Sequence, residues 1–172
     1  SKMKVFISYH RADSVYRRKA VNILTSHGID YYVVPENKNF NGKSAESIKT
    51  YLCEILKQCD VLLCLVGQET YRRPHVDHEI HTALKGNVGE RLGIVGVHLP
   101  KREDNLQALD LNTFPTKLWD NKEYVVWTEW ENLNNDIVNL VQKAYERSMD
   151  SKHQTTHRNS CMPLRQSLYY DN

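Results

Sequence analysis

The side chains with the clearest chemical potential follow one another in Val61-Leu-Leu-Cys-Leu-Val-Gly-Gln-Glu-Thr70 and Val76-Asp-His-Glu-Ile80. A wholly apolar run ends at Gly67, and a helix pattern then carries a carboxylate, Glu79, near its start. Ligands of an open α/β sheet bind outside the carboxyl ends of its strands, so a carboxylate one short loop beyond such an end is placed to do chemistry. At ~100° per residue Glu79 flanks the apolar stripe of its helix, neither deep in the core nor opposite it. The macrodipole near a helix N-terminus favours an anion there. The same position also suits a helix-start glutamate that only benefits from the dipole, so position alone leaves both readings open.

Other constellations carry less. Asn37-Lys-Asn-Phe-Asn-Gly42-Lys43-Ser44 misses a phosphate-binding loop, which needs glycine where Asn37 stands and normally follows the first strand. A phosphorylated receiver domain needs an aspartate at the end of the third strand, where this chain has Gly67. His75, His78 and His81 are spaced by three, whereas zinc-peptidase histidines are four apart on one helical face. They read as solvent-side helix residues, and no metal is expected. Gly86, Gly89, Gly93 and Gly96 follow a helix or lie within a strand, unlike a dinucleotide fingerprint, which joins a strand to a following helix.

These residues need a scaffold, and the strands and helices alternate to supply one. Lys4-Val-Phe-Ile-Ser8 reads as a strand, and Tyr16, Ala20, Ile23 and Leu24 line a helix ended at His27-Gly28. Residues 29–34 form a second strand stopped by Pro35, and Ile48, Leu52, Ile55 and Leu56 mark a second helix. Residues 60–66, apolar from Val61 onward, suit a central parallel strand. A third helix carries Val76, Ile80, Ala83 and Leu84, and residues 92–99 form a fourth strand. Residues 124–127 form a fifth strand, and Leu133, Ile137, Leu140, Val141 and Ala144 line a last helix. The long connection 100–123 holds at most a short helix near 105–111.

The fold class is therefore α/β: an open, flavodoxin-like, five-stranded parallel sheet of order 2-1-3-4-5 with helices on both faces. Its switch point brings Ser8-Tyr9-His10-Arg11 beside Gly67-Gln68-Glu69-Thr70, with loop 36–43 placed as a lid. One domain spans 1–150, and the polar segment 151–172 is expected to be a flexible tail on which Tyr169-Tyr170 is a possible docking element.

A chain of 172 residues and formal charge +2, with acids and bases mixed along it, lacks the concentrated basic patch of a nucleic-acid binder. Arg11 with Arg17-Arg18-Lys19, and Arg72-Arg73, read as a solvated helix face and a loop. No apolar stretch approaches the ~20 residues of a membrane span. The four cysteines show no C-x-x-C spacing and suit a reduced, cytoplasmic protein.

Val5-Phe-Ile-Ser-Tyr9, Val61 to Thr70, Arg73, Val76-Asp-His-Glu-Ile80 and Ile94-Val-Gly-Val-His-Leu-Pro100 together resemble the TIR-like family. The resemblance is closest to the small bacterial TIR-like proteins of Thoeris antiphage systems, and it covers roughly residues 3–145. It implies an NAD+-consuming enzyme that releases nicotinamide and passes ADP-ribose to a nucleophile, giving a cyclic or conjugated signalling nucleotide. NAD+ is then a substrate, and no cofactor is implied. Glu79 aligns with the family's catalytic glutamate. Ser8, Tyr9, His10 and Arg11 match the loop after strand one, with Arg11 suited to a pyrophosphate.

Thr70 and His75 complete the implied substrate site; many relatives have tryptophan where His75 stands, which bears on nicotinamide packing. Glu36 and Asn37 lie in the loop that covers the pocket and mediates self-association in such domains. Partners implied are NAD+, a small-molecule acceptor, a second copy of the chain and a downstream effector reached through the product. The contrasting reading is a non-catalytic TIR-like scaffold that assembles through loop 36–43.

Overall fold

Val61–Val66 is buried along its whole length, which a strand achieves only at the centre of a sheet covered on both faces. The computed structural model describes residues 2–156 and 160–172. Its strands are β1 (Lys4–Ser8), β2 (Asp30–Tyr32), β3 (Val61–Val66), β4 (Gly93–His98) and β5 (Val126–Glu129). They pair in parallel in the order β2-β1-β3-β4-β5, the flavodoxin-like arrangement expected. The helices are α1 (Ser14–Ser26), α2 (Ala45–Leu56), α3 (Pro74–Leu84), α4 (Thr116–Asp120) and α5 (Leu133–Ser148). The chain leaves β1 in one direction for β2 and returns past it to β3, and right-handed crossovers then put α1 and α2 on opposite faces. In keeping with this, α1 packs with α5, and α2 packs with α3.

Small residues let the layers close. A Cβ on Gly93 would strike the backbone carbonyl of Ala144, so glycine in β4 sets how closely α5 approaches the sheet. A Cβ on Gly67 would strike the Asp13 carboxylate, which glycine at the end of β3 admits into the protein.

Two elements differ from expectation. The fifth strand runs Val126–Glu129, two residues later than 124–127. Tyr124 and Val125 still belong to a turn, their amides donating to Asn121 O, while the Tyr124 hydroxyl donates to Leu92 O at 2.6 Å. The helix of the long connection is α4, not 105–111. Asn105 turns that stretch back on itself, its side chain accepting from the amides of Gln107 and Ala108 at 3.0 Å each. The connection is pinned to the carboxyl edge of the sheet by Arg102, which donates to Gly67 O at 3.0 Å and Thr113 O at 2.8 Å. Arg102 also pairs with Asp104, which contacts His98 Nε2 at 2.9 Å.

The largest departure is the C-terminal segment. Expected to be flexible, residues 160–172 instead run across α3 and loop 36–43. Met162 N donates to Asp77 Oδ2 at 2.8 Å, and His78 Nε2 contacts Met162 O at 2.6 Å. Phe40 N donates to Ser167 O and Tyr169 N to Lys38 O, both at 2.8 Å, and Asn39 bridges antiparallel to Leu168. The apolar anchors Leu164, Tyr169 and Tyr170 are buried, which gives this polar stretch enough hidden surface to hold an ordered path. Residues 157–159 of the expected tail lie outside the described residues.

Candidate functional site

Register fixes the floor of the site. Ser8, the last residue of β1, lies beside Cys64 of β3, so β3 runs two residues further and its turn overhangs Ser8. Thr70 holds that turn: its hydroxyl accepts from Gly67 N at 2.8 Å and reaches Leu65 O at 3.4 Å. After the turn, α3 starts at Pro74, whose missing N–H costs nothing at the first helical position.

Glu79 is the sixth residue of α3, so it sits in the second turn, past the reach of the macrodipole. It does not merely flank the core. Only 1% of it is exposed, because β1 lies on one side and the C-terminal segment covers the other. Ser8 Oγ donates to Glu79 Oε1 at 2.6 Å, and Tyr169 Oη donates to Oε2 at 2.6 Å. Burial penalises the charged carboxylate more than these two neutral hydroxyls favour it, and the carboxyl is pushed up to about 8. Tyr169 is pushed well above its ordinary value by burial, and then by the facing carboxyl.

Around this pair, His75 is completely buried, and His78 nearly so, contrary to the solvent-side positions expected for the helix histidines. The reason is again the C-terminal segment, which covers the face of α3 that would otherwise meet water. His75 Nε2 contacts Tyr9 O at 2.8 Å and Nδ1 contacts Asn172 O at 2.6 Å. Burial pushes His75 down to about 4, so the ring is neutral at pH 7. A neutral imidazole carries a single N–H, and one of the two carbonyl oxygens therefore faces a ring lone pair.

Tyr9 is buried with its ring 5.1 Å from that of Tyr170, whose hydroxyl donates to Val34 O at 2.7 Å. Arg11, half exposed, pairs with Asp171 at 2.9 Å. His10 is shifted down by burial, with Arg73 adding to the effect.

The structure thus brings Ser8, Tyr9, Arg11, His75 and Glu79 to one place. His10 lies beside them, near enough to His75 to disfavour a charge on its ring. Thr70 is occupied by its turn, while Glu36 and Asn37 are exposed on loop 36–43, Glu36 paired with Arg17. Sequence reasoning left Tyr169 and Tyr170 on a flexible tail; two adjacent aromatics after Leu164 and Leu168 in a polar stretch were the available signal. It also passed over Asp13, a buried carboxyl raised by desolvation near Gly67, for which the lone glycine at the strand end was the only hint.

In chemical terms, the cluster is a buried carboxyl held by hydroxyls at a sheet switch point, with the Arg17 guanidinium 5.8 Å over the Tyr9 ring and Arg11 at the surface against Asp171. That combination can stabilise a developing cation and hold an anionic group.

Comparison with known proteins gives one family. A family model described as Thoeris protein ThsB, TIR-like domain, matches residues 6–104, which takes in the end of β1, β2 to β4 and α1 to α3. No curated protein matches the chain.

Proposed function

Since the chain belongs to the TIR-like domain family of the Thoeris protein ThsB, we propose that it serves antiphage defence by cleaving NAD+ between nicotinamide and ribose. The observation that carries the reading is the position of Glu79: a carboxyl at the switch point of a parallel sheet, hydrogen-bonded to Ser8 at 2.6 Å.

The chemistry follows from charge. As the glycosidic C–N bond breaks, its electron pair goes to the pyridinium nitrogen and nicotinamide leaves neutral. Positive charge then builds on the ribose carbon, as in the oxocarbenium-like transition states of glycoside hydrolysis. The Glu79 carboxylate, against the ribose hydroxyls, stabilises that cation, and Ser8 fixes its orientation. The pyridinium charge of the bound substrate pulls the Glu79 carboxyl down from its raised value towards ionisation. Arg11, which pairs with a carboxylate in this structure, takes the pyrophosphate. Tyr9 and His75 form the wall beside them. A nucleophile then bonds to the ribose carbon, water or a hydroxyl losing its proton to solvent as it does so: water gives ADP-ribose, an adenine or ribose atom gives a cyclic nucleotide, and a small molecule gives a conjugate. The product carries the signal to an effector.

A second reading is a non-catalytic module that assembles through loop 36–43, and the sealed state of Glu79 favours it. Mass spectrometry of NAD+ incubated with the protein separates the two. The enzyme reading expects nicotinamide and one ADP-ribose-derived product, both lost in Glu79→Gln. The scaffold reading expects unchanged NAD+ with either protein under every condition tried.

A further inference from the structure

Four of the residues that the site would offer to a nucleotide, Glu79, Tyr9, His75 and Arg11, are engaged by residues 169–172. Tyr169 takes one oxygen of Glu79, Tyr170 packs on Tyr9 and His75, Asp171 takes Arg11, and Asn172 O takes His75. Tyr169 is completely buried and Tyr170 is 3% exposed, so their rings fill the space above the carboxyl.

The floor and walls are side chains fixed on β1, the loop after it and α3. The covering segment is a single run of chain, seated by hydrogen bonds at Ser167, Tyr169, Tyr170 and Asn172, the Asp171 ion pair and two buried rings. These contacts mimic a nucleotide's: a hydroxyl on the carboxyl, an aromatic ring on Tyr9, and an anion on the guanidinium.

From these contacts we infer that residues 166–172 are an intramolecular plug that occupies the NAD+ site and must leave before the substrate binds. This rests on the reading of that site as a nucleotide site. The docked state also holds one unmet contact, since neutral His75 faces two carbonyl oxygens with one N–H.

Release is coupled to loop 36–43. Lys38 O and Phe40 N bond to Tyr169 and Ser167, and the Phe40 ring lies 6.3 Å from that of Tyr169. An event that moves this loop, such as association with a second copy of the chain, withdraws the hydrogen bonds that seat Tyr169. The matched family region ends at residue 104, so the plug lies in the part of the chain outside it.

The test uses the full chain, unmodified and as Tyr169→Ala/Tyr170→Ala. NAD+ binding is followed by saturation-transfer NMR, turnover by nicotinamide release, and folding by thermal melting. The expected result is a gain of tenfold or more in both binding and turnover for the double variant. A gain in binding without turnover keeps the plug and removes the catalytic reading. Equal binding by both proteins overturns the plug, and turnover by both would leave the catalytic reading standing. No binding by either folded protein overturns the plug together with the nucleotide site. Should the double variant melt below the assay temperature, Asp171→Arg replaces it. This exposed substitution sets two cations against each other at Arg11 and is expected to raise binding about two- to fivefold. No rise with a folded Asp171→Arg overturns the plug.

Discussion

Replacing Glu79 by glutamine keeps the shape of the side chain and removes its titration. In the native protein the carboxyl is raised from an ordinary 4.5 to about 8, chiefly by burial, so the folded state favours the neutral acid. The contribution to stability is therefore fully present below 4.5, falls as the unfolded chain releases its proton, and is gone above 8. At ~1.4 kcal/mol per pH unit for a one-proton difference, the loss across this window is on the order of 3–5 kcal/mol. For a domain of this size that is roughly 10 °C in Tm.

Glutamine is always neutral, and the two facing hydroxyls can each donate or accept, so Glu79→Gln keeps both hydrogen bonds. The assay is thermal unfolding of both proteins from pH 5 to pH 9. His75 and the other titrating groups contribute equally to both curves and cancel in the difference. The expected result is similar Tm near pH 5 and a widening advantage for Glu79→Gln as the pH rises. Curves that run parallel to within a degree across the whole range would refute the claim that Glu79 is buried without a compensating charge.

Other perturbations test the frame that holds the site. Gly93→Ala places a methyl group on the Ala144 carbonyl, a rigid helix backbone, and is expected to destabilise by ~3 kcal/mol, read from denaturant midpoints. Gly96→Ala meets the Trp127 ring, a side chain held by a hydrogen bond to Lys122 O and not a helix backbone, and should cost about half as much. An equal loss in the two would show that α5 does not press on β4 as described. Arg102→Met strips the partner from Asp104, whose carboxyl Arg102 and its other hydrogen bonds hold well below the usual range despite burial. A loss of about 3 kcal/mol is expected at pH 7, with faster proteolysis of residues 100–113. Because a lowered carboxyl stabilises only while it is ionised, the difference from wild type should shrink towards pH 2, and a constant difference would contradict the pairing.

Much of the frame was legible because burial leaves a pattern in residue type. The unbroken apolar run of Val61–Val66 suited a central strand, and the spacing of Ile48, Leu52 and Leu56 identified the inner face of α2. Boundaries were less legible at local turns, one closed by the Asn105 side chain and one by the Asn121 backbone carbonyl. Within the site, Ser8 and Glu79 could be brought together by topology alone, since β1 and α3 meet at the switch point. The burial of His75 and Glu79 could not. It depends on a contact across ninety residues of sequence between Glu79 and Tyr169, and no periodicity encodes such a contact.

The central claim is that Glu79 cleaves NAD+. Its most direct measurement is nicotinamide release from NAD+ by the full chain carrying Tyr169→Ala/Tyr170→Ala, with and without Glu79→Gln. The account predicts steady release by the former and a loss of at least a hundredfold on adding Glu79→Gln, both proteins remaining folded. Equal release by the two would contradict it.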